Sequence, residues 1–216
     1  MVNDSAFVDA LSQRLKTDLP GAIAHRKMLP RLGNGEAIRI KHDEQPRSGA
    51  VMILIYQEQG TLRFPLIQRP DYPGIHSGQM ALPGGKSETS DRDLIETALR
   101  ETREEIGIES GKVKVLGNLS SFFVAASNFQ ILPVVGFMEK APEYVPDNHE
   151  VAEVVVAKLE DLTDPDKRKE KEITAGRGVK LISPYFDLSG KVVWGATAMM
   201  LSEMSAVLND VYASIR

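Results

Sequence analysis

Residues 84–108 read GGKSETSDRDLIETALRETREEIGI, and this stretch decides the fold more than any other part of the chain. Ser90 is expected to cap a helix, with Asp93 three positions on in a capping-box relation. Gly107 stands where a left-handed residue ends a helix. The sequence therefore predicts a turn, a helix over about residues 91–106 and a second turn. The stripe expected to pack on a sheet recurs every three or four residues and comprises Ile95, Leu99, Thr102 and Ile106.

Three carboxylates belong to the last turns of this helix. Glu101, Glu104 and Glu105 stand at i, i+3 and i+4, so their side chains leave one face. Such a cluster repels itself without cations, and its oxygen ligands suit Mg²⁺ or Mn²⁺ better than Zn²⁺. Arg100 and Arg103 flank the acids. A solvated helix face with internal ion pairs has the same pattern, so the acids alone leave both interpretations open.

The tetrapeptide LPGG at residues 82–85 favours a site, because its glycines let the backbone approach a metal closely. With this turn, the segment resembles the Nudix box, G-x5-E-x7-R-E-U-x-E-E-x-G-U, in which U is a bulky aliphatic residue. Asp91 replaces the first glutamate of the box, the spacer after it is one residue longer, and Thr102 replaces an aliphatic residue. We expect Asp91 to be structural. The second half of the box is matched by Arg100-Glu101, Glu104-Glu105, Gly107 and Ile108.

Residues 66–85, LIQRPDYPGIHSGQMALPGG, are similar to the signature that precedes the box in the coenzyme A pyrophosphatase branch. That signature reads L-L-T-x-R-[SA]-x3-[KR]-x3-G-x3-F-P-G-G. HSGQ at 76–79 resembles the H-x-G-Q of the branch, which also carries the longer spacer. Pro70, Gly74 and Leu82 depart from the pattern. Gly74 replaces a basic residue, which matters because coenzyme A carries a 3′-phosphate. The frame is kept by Leu66, Arg69, Gly78 and Pro83-Gly84-Gly85.

The resemblance implies a fold of the α/β class with a mixed α+β sheet, an α/β/α sandwich in which the box forms loop-helix-loop. It also implies a hydrolase that uses Mg²⁺ or Mn²⁺ to cleave the diphosphate linkage of a nucleoside diphosphate derivative. Coenzyme A or an acyl-CoA is the expected substrate, with 3′,5′-ADP and 4′-phosphopantetheine as products. A diphosphatase for ADP-ribose or NADH, a non-catalytic nucleotide sensor and an acidic-helix interaction protein are the alternatives.

Individual residue roles follow from the same resemblance. Glu150, in NHEV at residues 148–151, lies where relatives often place another acid near the metal, with a surface-loop glutamate as the alternative. Arg100 is expected to act with the box glutamates in catalysis by orienting one of them. Arg69 and His76 are expected to contact substrate, with a salt bridge and a structural hydrogen bond as their respective alternatives. The expected metal ligands are the Gly85 carbonyl and the carboxylates of Glu101, Glu104, Glu105 and Glu150.

Outside the box, the pattern predicts an N-terminal helical extension and linker at 1–47 and a Nudix domain at 48–216. The extension either covers the sheet or contributes to a homodimer. Asp164–Lys171 is expected to be a solvated loop, with help in holding an anionic substrate as the alternative, and Trp194–Met200 is expected to pack in the core. Further strands are expected at 50–56, 62–69, 112–119, 129–138 and 150–157, and further helices near 7–15 and 194–213.

Composition excludes several classes of function. The chain of 216 residues has no cysteine, so disulfides, thiolate metal sites and cysteine nucleophiles are ruled out. Its formal net charge of −4 argues against general nucleic-acid binding. No apolar run approaches the roughly 20 residues that a membrane span needs. We therefore expect a cytoplasmic protein that binds a small nucleotide diphosphate and neither nucleic acid nor membrane.

Overall fold

A computed structural model describes residues 4–34, 42, 44–73, 76–175 and 178–215. Gly74, which replaces the expected basic residue, lies outside the described residues. The described helices are α1 Asp4–Arg14, α2 Ala22–His25, α3 Leu94–Ile106 and α4 Gly195–Ser214. The described strands are β1 Arg31–Leu32, β2 Arg47–Glu58, β3 Thr61–Gln68, β4 Met80–Ala81, β5 Gly84–Lys86, β6 Lys114–Asn118, β7 Phe122–Val124, β8 Phe129–Met138, β9 Glu153–Lys158, β10 Arg168–Ala175, β11 Val179–Leu188 and β12 Lys191–Trp194.

The larger sheet is mixed, as the sequence predicts. Its strands follow the order β4-β3-β2-β8-β6, with β5 beside β2, β7 beside β8 and β9 beside β3. The two long central strands, β2 and β8, run parallel and pair from Arg47↔Phe129 to Tyr56↔Met138. The other pairings are antiparallel. The predicted strands at 50–56 and 62–69 are present, and β2 and β3 form an antiparallel hairpin.

The apolar run in β2 is continuous because both faces of this strand are covered. Alternate side chains point to opposite faces of a strand. Val51, Ile53 and Ile55 belong to one buried cluster, whereas Met52 and Leu54 belong to the other. A half-exposed strand would have shown alternating polarity instead.

Helices cover both faces of this sheet and complete the expected α/β/α sandwich. The cluster that contains Met52 is closed by α3, and the opposite cluster is closed by α1 and α4. The N-terminal helix therefore packs on the domain, with Phe7 and Leu11 fully buried and the ring of Phe7 6.0 Å from that of Tyr212. None of the described helices, α4 included, is both long and apolar enough to cross a membrane.

A second, four-stranded sheet was not expected from the sequence. It has the order β1-β11-β10, and β12 pairs with β11. The prediction of a solvated loop over Asp164–Lys171 is wrong for its second half, because β10 begins at Arg168. The alternating charges of β10 conceal the strand, since each of its exposed residues is polar. Backbone pairing with β11, from Arg168↔Phe186 to Ala175↔Val179, stabilises it instead of a buried apolar face.

Candidate active site

Helix α3 begins later than predicted because a different residue caps it. Asp93, in an extended conformation, accepts a hydrogen bond from the amide of Glu96, so Asp93 and not Ser90 is the N-cap. The prediction that Ser90 starts the helix is therefore wrong. A carboxylate at this position also interacts favourably with the positive end of the helix dipole. The helix end was predicted correctly, with Gly107 in the left-handed conformation at φ 76°.

The face that α3 buries is rotated slightly from the predicted stripe. Thr102 and Ile106 are buried as expected, but Ile95 and Leu99 are only partly buried. Glu105 is only 3% exposed, so the helix directs a carboxylate towards the protein interior. A buried acid needs a proton, a hydrogen bond or a cation, and this marks the turn as more than a solvated face.

Three carboxylates converge in front of α3. Ligand atoms of Glu101, Glu105 and Glu150 all lie within 4.8 Å of one another. Glu104, predicted as a ligand, is not in this group. Its side chain is 46% exposed and accepts hydrogen bonds from Arg100 at 2.8 Å and Arg103 at 3.3 Å. The structure thus brings together three of the four predicted acids.

Backbone hydrogen bonds bring Glu150 to the helix from a distant loop. The amides of Val145 and Asp147 donate to the carbonyls of Ile106 and Glu105, at 3.1 and 3.0 Å. Those carbonyls are in the last turn of α3, where the carbonyls of a helix have no amide partner within the helix. The amide of Glu150 then donates to the carbonyl of Asp147 at 3.1 Å and closes a turn. The loop is therefore tethered to the helix that carries the other two acids.

The glycine turn lies against the same carboxylates. The amide of Gly84 donates to Glu105 Oε2 at 2.7 Å. At Gly85, an added Cβ would lie 2.6 Å from the Glu101 carboxyl carbon, closer than real contacts allow. Gly85, in β5, pairs with Ala50 of β2, and its bare Cα faces the Glu101 carboxylate. That its carbonyl binds a metal stays a prediction.

Arg100 orients Glu101 through a network of charge-assisted hydrogen bonds. Its guanidinium donates to Glu101 Oε1 at 2.9 Å, to Glu104 Oε2 at 2.8 Å and to the carbonyl of Lys86 at 2.9 Å. It also binds both oxygens of Asp91, at 2.9 and 3.0 Å. This pairing holds the pKa of the Asp91 carboxyl well below its usual range. The network explains how Asp91, expected to be structural, bears on the site.

We expect Asp91→Asn to destabilise the fold by roughly 1–3 kcal/mol, because it leaves the guanidinium of Arg100 with a neutral partner in a largely buried place. The Asp91 side chain is 3% exposed and that of Arg100 is 14% exposed. Thermal unfolding followed by circular dichroism measures the loss. The exposed Asp18, changed to asparagine, is the matched control. An Asp91→Asn midpoint equal to that of the control would contradict the assignment.

The converging acids make the metal-free site electrostatically unfavourable. Burial, and then the charges of Glu101 and Glu150, raise the pKa of Glu105 to about 8 despite the Gly84 hydrogen bond. Burial also raises the pKa of Glu101, and the charges of Glu104 and Glu150 add to this, whereas Arg100 opposes it. A divalent cation would relieve both the desolvation and the mutual repulsion. Three oxygen ligands on one side of an open cleft fit Mg²⁺ or Mn²⁺.

This arrangement predicts a pH-dependent stabilisation by metal. The Glu105 pKa rises from 4.5 in the unfolded chain to about 8 in the fold. The proton therefore favours the folded state below about pH 4.5, and that contribution is lost as the pH rises through 8. A cation needs the ionised carboxylates, so it must displace nearly a full proton at about pH 6 and only a minor fraction of one at about pH 8.5. We expect Mg²⁺ or Mn²⁺ to raise the thermal midpoint more at about pH 8.5 than at about pH 6. An equal gain at both pH values would contradict the account, and Glu105→Gln should abolish the difference.

The carboxylates open into a cleft of about 730 Å³ that also contains both predicted substrate residues. Arg69 lies at the end of β3, and its Nε is buried without a hydrogen-bond partner among the described residues. His76 has a left-handed backbone at φ 71°, and its Nδ1 lies 3.0 Å from Gln79 Oε1. Burial and then Arg69 lower the pKa of His76 against the Gln79 hydrogen bond, so the ring stays neutral at physiological pH.

Trp194 is a cleft residue that the sequence did not reveal. The segment Trp194–Met200 was expected to pack in the core, and Met200 is indeed buried. Trp194, however, is partly exposed and lines the cleft together with Ala196 and Thr197. Its position directly before α4, at the end of β12, places the ring at the cleft wall. In an apolar run, the sequence does not show which residue faces a cavity. It therefore could not identify Trp194 as a cleft residue.

The fold and the acid-bearing loop-helix-loop define a known structural class. A Nudix hydrolase from M. smegmatis superposes with a TM-score of 0.53 over 87% of this chain and 96% of that chain, at 16% identity. A MutT/nudix family protein from Enterococcus faecalis gives a TM-score of 0.50 over 82% of this chain and 66% of that chain, at 17% identity. At such identities the likeness concerns the fold alone.

Sequence comparison adds the family. Residues 46–176 match the NUDIX domain, and the chain belongs to this family. It is 32% identical to Nudix hydrolase 15, mitochondrial, of Arabidopsis thaliana over 170 residues, which are 76% of this chain and 59% of that protein. It is 34% identical over 143 residues to the uncharacterized Nudix hydrolase NudL of Pectobacterium atrosepticum, with 62% of this chain and 69% of that protein covered. The match thus spans little more than half of the Arabidopsis protein.

Proposed function

We propose that this chain is a divalent-metal-dependent hydrolase that cleaves the diphosphate linkage of a nucleoside diphosphate derivative, with coenzyme A or an acyl-CoA as substrate. The observation that carries the proposal is the convergence of Glu101, Glu105 and Glu150 within 4.8 Å at the wall of a cleft. A solvated helix face would not bury Glu105 or recruit an acid from a separate loop. A sensor that binds a nucleotide without cleaving it needs no such carboxylate cluster.

The three carboxylates would hold Mg²⁺ or Mn²⁺, and the Gly85 carbonyl is a further candidate ligand. A divalent cation supplies positive charge that neutralises diphosphate oxygens and makes water more acidic. The chain itself keeps the donors in place. Arg100 holds Glu101 in one orientation at 2.9 Å, and the Gly84 amide holds Glu105 at 2.7 Å. Preorganised charge of this kind is the main contribution a protein makes to phosphoryl transfer.

Arg69 is the candidate for direct contact with the diphosphate. Its Nε is buried and unpaired among the described residues, and the side chain lines the cleft beside the acids. A guanidinium binds two oxygens of a phosphate at once, so an anionic substrate would satisfy the free donor. The alternative of a strand-end salt bridge finds no support, because no carboxylate pairs with Arg69 within the described part of the chain.

Because Gln79 Oε1 can only accept, Nδ1 of the neutral His76 ring carries the proton, and Nε2 is left as one acceptor for substrate. Gln79 occupies its Nδ1, and the ring lines the same cleft. The left-handed backbone at a non-glycine residue is strained, and such strain is often retained at binding sites. The contact with Gln79 also fits a structural role in the turn. The substrate contact proposed for His76 is through Nε2, which can accept a hydrogen bond from a donor group of the substrate.

The choice of coenzyme A rests on the signature at residues 66–85. This segment supplies much of the cleft wall, from Arg69 through His76 and Gln79 to Gly85. The part of the sequence that resembles the coenzyme A branch is therefore the part that would meet a substrate. Coenzyme A, ADP-ribose and NADH give different products on cleavage, so product analysis distinguishes them.

Product analysis tests the proposal. Purified protein is incubated with Mg²⁺ or Mn²⁺ and each of coenzyme A, acetyl-CoA, NADH and ADP-ribose, and the products are separated by anion exchange. Release of 3′,5′-ADP and 4′-phosphopantetheine from coenzyme A, absent without metal, is the expected result. Cleavage of another compound alone would keep the reaction and discard coenzyme A. Binding without cleavage of any compound would favour a sensor.

A further inference from the structure

A second cleft of about 450 Å³ adjoins the first. The two clefts share Gln79, Met80 and Trp194 as lining residues. The floor of the second cleft comes from β10 and β12, the strands of the smaller sheet that the sequence did not predict. A substrate held by the first cleft can therefore extend past Trp194 into the second without leaving the protein surface.

Charge pairing along β10 leaves one cation in this cleft uncompensated. Lys169 pairs with Asp187 at 2.6 Å, Glu170 with Arg31 at 2.7 Å and Glu172 with Lys180 at 2.8 Å. Lys171, between them, pairs with no carboxylate in the described ranges, and its Nζ lies 5.5 Å from the ring centre of Tyr185.

The other two charged groups of the second cleft, Lys191 and Glu172, are each paired with a residue outside its lining. Lys191 donates to Glu153 at 2.6 Å and to the side-chain carbonyl of Gln68 at 3.0 Å. The charge of Glu172 is balanced by its ion pair with Lys180. The unpaired charge that the cleft offers is therefore the single positive charge of Lys171, and Ser77 and Thr174 supply hydroxyl groups to the same lining. One free ammonium with neutral donors suits an anion of modest size.

We propose that the second cleft is a subsite for a phosphate monoester that the substrate carries outside its scissile diphosphate, with Lys171 as the charged contact. The inference rests on the proposed function, because the first cleft must hold the diphosphate. It assigns Lys171 to substrate selection and not to the reaction. A substrate that lacks the monoester loses this contact and keeps all contacts at the carboxylates. Trp194 forms the wall that both parts of the substrate would pass.

Calorimetric titration tests the subsite without any turnover. Adenosine 3′,5′-bisphosphate and AMP are titrated into the purified protein with Mg²⁺, and into two variants. Lys171→Gln removes the proposed contact. Lys114→Gln, on β6, removes an exposed strand lysine that lines neither cleft and is the matched control. Both positions are exposed, so thermal midpoints should stay at the wild-type value.

The expected result is a preference of about fivefold for the bisphosphate over AMP in the wild type, in line with the upper range for an exposed ion pair. Lys171→Gln should reduce this preference to less than about twofold, and Lys114→Gln should retain it. Equal affinities in the wild type, undetectable binding of both nucleotides, or a preference unchanged by Lys171→Gln would overturn the proposal. A protein that shows the preference but cleaves none of the panel compounds would keep the subsite and lose the proposed function.

Discussion

Replacing Glu105 with glutamine is expected to lower kcat/KM at saturating metal by at least about 100-fold. Glu105 is the most buried of the three converging acids and receives the Gly84 amide at 2.7 Å. Glutamine keeps the volume of the side chain and an oxygen that accepts this hydrogen bond. What it removes is the negative charge that a cation would need. The loss should therefore fall on metal binding and turnover, with the fold retained.

The measurement is steady-state kinetics with the preferred substrate at increasing Mg²⁺ or Mn²⁺, together with metal titration calorimetry. Glu109→Gln makes the same chemical change three residues past the end of α3, at an exposed position outside the cluster. The control should stay within about twofold of the wild type. Turnover by Glu105→Gln within tenfold of the wild type at saturating metal would show that the carboxylate cluster is not the catalytic centre.

The sequence contains the information for two of the three converging acids. Helical spacing places Glu101 and Glu105 only about 40° apart around α3, so both point the same way. Glu104 lies roughly 60° to the other side of Glu101 on the same helical wheel. That rotation takes it out of the cleft and towards Arg100 and Arg103. The spacing i, i+3, i+4 thus describes one broad face, and only packing decides which part of it meets the cleft.

The placement of Glu150 beside the box cannot be predicted from its neighbours in the sequence. Nothing in the segment around it has a helical or strand period that points to the box. Its position depends on amides of Val145 and Asp147 that bind the last carbonyls of α3, which is a tertiary contact. Only the resemblance to a family suggested it.

The central sheet, in contrast, was predictable because β2 and β8 are long and apolar. Strand β10 was not, because it is held by backbone pairing and its sequence has no apolar pattern.

Gly85→Ala is expected to lower kcat/KM by about 10- to 100-fold while leaving the thermal midpoint close to that of the wild type. A methyl group at Gly85 would lie 2.6 Å from the Glu101 carboxyl carbon and the same distance from its Oε2. The backbone of Gly85 is outside the left-handed region, so alanine adds no conformational strain there. The clash is with the end of a side chain, which can turn away. We therefore expect Gly85→Ala to displace the Glu101 carboxylate without unfolding the domain.

Activity and thermal unfolding measured on the same preparation separate these two effects. Gly111→Ala is the matched control, because an added Cβ there meets no atom within 4 Å. Titration of the variant with metal should show weaker binding, since Glu101 can no longer hold both its bond to Arg100 and its place beside Glu105. Full activity of Gly85→Ala would mean that displacement of Glu101 does not affect turnover. The metal would then be bound by Glu105 and Glu150 without Glu101. A lower thermal midpoint with normal activity per folded molecule would mean that the bare Cα serves only the packing of β5 on α3.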